Sequence, residues 1–482
     1  MCIAIQTGWH KSISLIFQLR VAELFFNSVI LIALTVPICI VLAIALAWLT
    51  ERCNMTLGRW WSLLFTTTLA IPSFVQSYAW ISLIPSLHGL LAAILFSVIS
   101  YFPFLYLPLV AALRRLDPAL EAVAETLGLP PHIVFRRVVF PQLYIAIRGG
   151  TLMVAIHLLA EYGLFAMIQY DTLTTAIIDR FQFSNTSANI LAALLELCCL
   201  AFLSIEAFFG RKRNKRHYAQ VGSGSPRIAS PIQLSQFYQN AGQLLASITV
   251  ILSLGVPIAM ISKWLFVGGL NVWHWSELWE TLKQTLALSM MSAFLTCFFA
   301  IPIAWLSIRK LGWLQRWLEG CNYIASSLPG IVVALALITL TIRIARPLYQ
   351  TIFTVLIAYL IMFIPRALIS LRVGIAQAKV ELEYAAYSLG LSTFRMLCKI
   401  TLRIAACSMT VAAILVFFAT LNELTATLLL SPNGTQTLAT RFWVLTSEID
   451  YAAAAPYALI MIIISLPLTA CLHHQSRLLA GR

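Results

Sequence analysis

Apolar residues run along this chain in long blocks, and the short segments between them carry most of the charge. Blocks of about twenty residues are long enough to cross a bilayer as helices. They predict about eleven spanning segments, near 22–50, 61–86, 89–114, 145–169, 188–209, 243–266, 284–308, 319–342, 350–374, 404–430 and 455–473. None shows the roughly ten-residue alternation of apolar and polar positions that an outer-membrane barrel strand needs. Helices satisfy their own backbone groups in lipid. The expected class is therefore all-α and integral to the membrane.

Two polar segments stand out because they repeat. Glu121-Ala-Val-Ala-Glu-Thr-Leu-Gly128 is followed, 262 residues later, by Glu383-Tyr-Ala-Ala-Tyr-Ser-Leu-Gly390. The repeat extends outward. Trp48-Leu49 with Arg52 matches Trp305-Leu306 with Arg309, and Pro72 matches Pro329, both at an offset of 257. Pro103 matches Pro365 and Glu161 matches Glu423 at 262, and Arg180-Phe181 matches Arg441-Phe442 at 261. Ordered landmarks with small loop shifts indicate duplication and fusion. Both copies have the same orientation, which predicts parallel repeats about a pseudo-two-fold axis along the membrane normal.

The predicted organisation has four parts. Residues 1–21 form an N-terminal segment with only a short apolar patch, consistent with a truncated N-terminus or with a lost helix. Residues 22–209 form a first lobe with a polar loop at 117–141. Residues 210–242 form a basic, then Ser/Gly-rich linker. Residues 243–475 form a second lobe with the matching loop at 379–402.

Composition supports the class. Apolar residues make up 60% of the chain and charged residues 10%, with a mean hydropathy of +0.88. A soluble domain carries about 25% charged residues, so this chain cannot cover a globule in water. The net charge of +14 resides in short loops beside apolar blocks, which is a topology signal and not a nucleic-acid surface. Both repeated loops are flanked by arginine and lysine. The positive-inside rule places them and the C-terminus in the cytoplasm. The ten cysteines show no CxxC or zinc spacing, and most read as small buried apolar residues. The chain has no GxxxxGK[ST], HExxH or GxSxG, so neither nucleotide binding nor catalysis is expected of it.

The repeated loops resemble the EAA loop of permease subunits in binding-protein-dependent ABC importers. Its pattern is Glu-Ala-Ala, three residues, glycine, nine residues, then Ile-x-Leu-Pro. The signature positions are Ala122-Val123-Ala124 and Tyr384-Ala385-Ala386, each preceded by glutamate. Val138 and Ile400 stand in the isoleucine position. The final proline is Pro141 in the first copy and is replaced by Arg403 in the second. Small residues (Ala124, Ala385, Ala386) followed by glycine suit a helix–turn knuckle that sits closely against a partner. Fusion of two lobes resembles the ferric iron permeases and their thiamine relatives. Ser327-Leu-Pro-Gly-Ile-Val-Val-Ala334, Glu161-Tyr-Gly and Asn422-Glu-Leu-Thr-Ala-Thr-Leu-Leu429 resemble the iron group.

The resemblance implies a type I importer permease fold, duplicated in one chain of the bacterial inner membrane. Two ABC ATPase subunits would dock at Glu121, Ala124, Gly128 and Pro141, and at Glu383, Ala385, Ala386, Gly390 and Ile400. ATP and magnesium would belong to those subunits, and no cofactor to this chain. A solute-binding protein would meet the outer face, and the cargo would be ferric iron. A thiamine or other small-solute permease is the alternative within the class. A secondary transporter with parallel repeats is the alternative outside it.

Glu161 and Glu423, with Asn422 beside the latter, are the candidate pathway residues. A carboxylate inside an apolar helix is costly and faces the interior or a partner. The oxygens are hard ligands of the kind ferric iron prefers. Structural hydrogen bonding at a helix end fits the same positions.

Overall fold

A computed structural model describes residues 18–183, 185–214, 232–309 and 312–478. Most of the 1–21 segment and the centre of the 210–242 linker lie outside these residues. The described residues are helical throughout, apart from turns and one isolated bridge between Cys53 and Ile232. They divide into two compact units. One takes the described parts of Met1–Ser187, Leu197–Gly269 and Ala458–Arg482. The other takes Ala188–Glu196 and Leu270–Tyr457.

The first unit is built on α1 (Leu19–Arg52), α2 (Gly89–Arg115), the short α3 (Pro118–Thr126) and α4 (Pro131–Ala160). Along α1 the buried positions include Leu24, Ser28, Leu31, Thr35, Cys39, Ala43 and Leu46. That spacing of three and four draws one seam down the helix. Small members of the seam let the backbone of α2 approach closely. Phe25, Phe26, Leu34, Ile38 and Val41 are exposed on the other side, as lipid contact requires.

The second unit repeats this design in α5 (Trp275–Arg309), α6 (Ile352–Gln377), α7 (Val380–Ser388), α8 (Thr393–Ile404) and α9 (Ala406–Leu421). The α5 seam runs through Thr281, Thr285, Leu288, Ser292, Thr296 and Ala300, matching the first six α1 positions at the offset of 257, and on to Ala304, which matches the buried Ala47. Gly374 marks a close crossing in this unit. A β-carbon there would lie 2.4 Å from the β-carbon of Ser408, so α6 and α9 meet where only hydrogen fits.

One helix of the first unit comes from beyond the linker. Gln236–Val250 continues through a π turn, Ile251–Gly255, into Val256–Gly268. A π turn offsets the hydrogen-bond ladder. Here the Gln76 amide donates to the carbonyl of Leu252 (3.1 Å), and the hydroxyls of Thr68 and Ser253 meet at 3.2 Å. Lower down, Gly242 lets the helix lie against Leu49.

Among the described residues eight helices are long and apolar enough to span a membrane, or ten if two bent pairs each count as one span. The sequence predicts about eleven, and the difference lies in the breaks. The expected segment 61–86 divides into Gly58–Thr67, a 3-10 turn and Ser73–Leu83, interrupted at Pro72. Proline lacks the donor that would continue a helix. The matching Pro329 bends Gln315–Ala325 against Gly330–Ile344 by 104°. The segments 145–169 and 404–430 break at their glutamates: α4 ends at Ala160 and α9 at Leu421, and short helices resume at Gly163 and Thr425.

Candidate functional site

Each repeated loop folds as a short helix closed by glycine. Asp117 starts α3 by accepting a hydrogen bond from the amide of Ala119 (2.9 Å), an N-cap. No side chain caps α7 in this way. The C-termini are identical in form. Gly128 and Gly390 have φ of +78° and +76°. Their amides donate to the carbonyls of Glu125 and Tyr387 (both 2.9 Å), and the next amides, Leu129 and Leu391, donate to Ala124 and Ala386 (3.2 and 3.1 Å). This pair of bonds is the Schellman motif, which needs a left-handed residue just past the helix. A π turn then follows in both copies, at Phe135–Val139 and Leu397–Thr401.

The faces of these helices sort the predicted residues. Ala124, Ala386 and Glu383 are buried within the chain, Glu121, Ile400 and Pro141 are half-buried, and Ala385 is exposed with both glycines. Leu127 and Leu389, at the matched C-caps, are 75% and 82% exposed. Leu120 and Leu382 are exposed at another matched position. These leucines form the outward apolar surface. The loop pattern does not draw attention to them, because its invariants hold the knuckle's shape.

Beneath each helix lies an arginine, buried in the case of Arg52 and largely so in the case of Arg309. In the second unit the Arg309 guanidinium donates to the Glu383 carboxylate through Nε (3.1 and 3.2 Å) and Nη2 (3.0 Å). It also donates to the carbonyls of Ala378 (2.6 Å) and Ile375 (3.4 Å) at the end of α6. The Thr401 hydroxyl donates to Glu383 at 2.9 Å. In the first unit Arg52 reaches the carbonyl of Leu113 at 3.5 Å, the counterpart of Ile375. Its Nη2 lies 2.8 Å from Glu121 Oε1, yet that oxygen has no aligned hydrogen-bond donor. The approach is close enough for charge attraction, but its angle is poor, so the contact is an ion pair without a hydrogen bond. Burial raises the Glu121 carboxyl above the usual carboxylate range; Arg52 opposes the shift and Glu125 adds to it. Next to it, Arg114 clasps Glu51 in a bidentate pair (2.9 and 2.6 Å). The corresponding second-copy positions are Ile308 and Ala376.

Glu161 and Glu423 occupy the breaks. Each carboxylate accepts from the amide three residues on, Leu164 (2.9 Å) and Ala426 (3.1 Å), so each caps the helix that resumes there. Glu161 also accepts from Ser73 (2.8 Å) and from the Tyr101 hydroxyl. In the second copy these positions are Gly330 and Phe363. Glu423 instead accepts from Thr425 (2.8 Å) and interacts electrostatically with Arg366. The Asn422 Oδ1 is buried with no hydrogen-bond partner. The sequence identifies the two carboxylates but not their different partners, which come from helices far along the chain. Among the described residues no three His, Cys, Asp or Glu side chains gather closely enough to hold a metal ion.

Residues 17–215 and 297–482 match the family described as binding-protein-dependent transport system inner membrane component. The chain is 34% identical over 466 residues to the Fe(3+)-transport system permease protein FbpB 2 of Haemophilus influenzae, covering 96% of this chain and 92% of that protein. It is 28% identical over 182 residues to the thiamine transport system permease protein ThiP of the same organism, covering 36% and 32%. A third relative, the putative 2-aminoethylphosphonate transport system permease protein PhnV of Salmonella typhimurium, is 24% identical over 240 residues. That alignment spans 90% of the relative but 47% of this chain, so one permease-sized unit fits in about half of the present sequence. A family match over most of the residues, a relative aligned nearly end to end and a duplicated helical fold lead to one conclusion: this chain is a multi-pass transport component of the binding-protein-dependent transport system inner membrane family.

Proposed function

We propose that this chain is the fused permease of an ATP-driven importer for ferric iron. A solute-binding protein delivers the ion at the outer face. Two ABC ATPase subunits grip the cytoplasmic face, one at α3 and one at α7, and the ATP and magnesium are theirs. Closure of the ATPase pair moves the two knuckles, and the lobes alternate access by rocking. The observation that carries this reading is the twin knuckle: two glycine-closed helices of equal length at matched positions, each presenting an exposed leucine at its C-cap. A motor outside the membrane needs a contact of this kind on each lobe. The near end-to-end likeness to an Fe(3+)-transport permease supports the choice of cargo.

In this scheme Glu161 and Glu423 hold the broken helices in shape, and Asn422 supplies a free polar oxygen for the passing cargo. The Glu423 carboxylate accepts from Thr425 and the Ala426 amide, and the Glu161 charge is dispersed over three donors. Neither site is therefore a strong cation trap, as rapid release requires. The reading is tested by reconstituting the permease with its ATPase and iron-loaded binding protein in liposomes. ATP-dependent uptake of iron is expected. Uptake of thiamine or a phosphonate in place of iron would overturn the cargo, and uptake without the ATPase would overturn the class.

A further inference from the structure

The matched arginines Arg52 and Arg309 were landmarks of the repeat, and docking alone gives them no task. Each comes from the last turn of a spanning helix and reaches two other elements: the carbonyl end of the next long spanning helix and the glutamate of the docking helix. One side chain thus ties the docking helix to two spanning helices that already pack against each other. A buried ion pair is a poor source of net stability, because desolvation offsets its attraction. Its repetition at the base of both knuckles points to positioning.

The two ties differ in strength. Glu383 accepts from both Nε and Nη2 of Arg309 and from Thr401. Glu121 meets Arg52 off-angle, Arg52 Nε has no partner, and the position of Thr401 is taken by Val139. In the first copy the well-formed clasp is Glu51–Arg114. It binds α1 to α2 and leaves α3 out.

We infer that Arg309, Glu383 and Thr401 are positioning residues that weld the second docking helix to its spanning helices, whereas Arg52 and Glu121 leave the first docking helix compliant, so that the motor's stroke is transmitted mainly through the second copy. This rests on the proposed ATPase docking at α3 and α7. Its structural half, however, can be tested on the permease alone. Thr401→Val is the informative change: it is nearly isosteric, sits at a buried position, and makes the second copy resemble the first. Val139→Thr is the reciprocal change.

The first readout is amide hydrogen exchange of the whole permease in nanodiscs. Residues 380–388 are expected to exchange more slowly than 118–126. Thr401→Val and Glu383→Gln should speed 380–388 by roughly tenfold, toward the upper end of single-site coupling effects, and Glu121→Gln should change 118–126 little. Equal protection of the two helices in the unaltered protein would overturn the inference whatever the ATPase does. The second readout is ATP hydrolysed per ion imported by the reconstituted complex. Thr401→Val and Glu383→Gln should raise it several-fold with the ATPase still bound, Val139→Thr should not, and Arg309→Lys should lie between. An unchanged ratio, or equal losses from the Glu121 and Glu383 changes, would refute the unequal linkage. If the unaltered permease retains no ATPase while the exchange difference is present, the docking proposal fails and the structural asymmetry stands.

Discussion

Gly330 and Ser73 show how single residues set the two copies apart. They occupy the same place after the helix-breaking proline, but Ser73 donates to Glu161, whereas a β-carbon at Gly330 would lie 2.8 Å from both Glu423 Oε1 and Thr425 Oγ1. Gly330→Val therefore overpacks a polar break, and such changes cost about 1–3 kcal/mol. Thermal unfolding of the purified permease should register that loss, and an unchanged midpoint would contradict the packing described. The capping role of Glu161 makes a second prediction. Glu161→Gln keeps a carbonyl oxygen for the Leu164 amide, so iron uptake should persist within about threefold. Glu161→Ala removes the acceptor, and leaving a buried donor unsatisfied costs about 1–3 kcal/mol. If Gln abolished uptake as fully as Ala, the charge itself would be required and the carboxylate would be a pathway ligand.

At the scale of elements, the sequence reveals the knuckles because their demands are local. A left-handed position calls for glycine, and a close contact calls for alanine. Gly128, Gly390, Ala124 and Ala386 meet these demands in plain order along the chain. The outward surface is less legible, since Leu127 and Leu389 look like ordinary members of an apolar pattern until the helix direction is known. If they form the surface that meets the ATPase, Leu127→Cys and Leu389→Cys should label readily with a thiol reagent in the permease alone and be protected several-fold when the ATPase binds. Labelling unaffected by the ATPase would place its contact elsewhere. The breaks at Glu161 and Glu423 were half-legible. A carboxylate in an apolar block signals a special site, but the short helices it caps merge with the block in a hydropathy reading; the count of eight to ten spans against eleven comes instead from the break before Ser73 and the bends at Pro329 and Ala405.

For the whole molecule, duplication was legible because landmarks repeat in order over nearly the full chain. Its packing was less so. The helix Gln236–Gly268 belongs by sequence to the second half and by contact to the first unit, held there by Gln76, Thr68 and the space beside Gly242. Periodicity shows which face of a helix is buried but not against which neighbour, and nothing local in 236–268 names its partner. The unequal arginine ties were hidden for the same reason: Thr401 and Val139 differ by one polar atom, whose meaning depends on a glutamate 18 residues away.

The central claim is that one polypeptide offers two docking knuckles to an external motor. Native mass spectrometry of the permease purified with its ATPase tests it most directly. The unaltered chain should carry two ATPase subunits. Gly128→Val or Gly390→Val places a branched residue at a left-handed position, at a cost of about 1–3 kcal/mol, and each should leave one subunit bound, with the double variant leaving none. A complex with no ATPase, or two subunits retained by the double variant, would contradict the account.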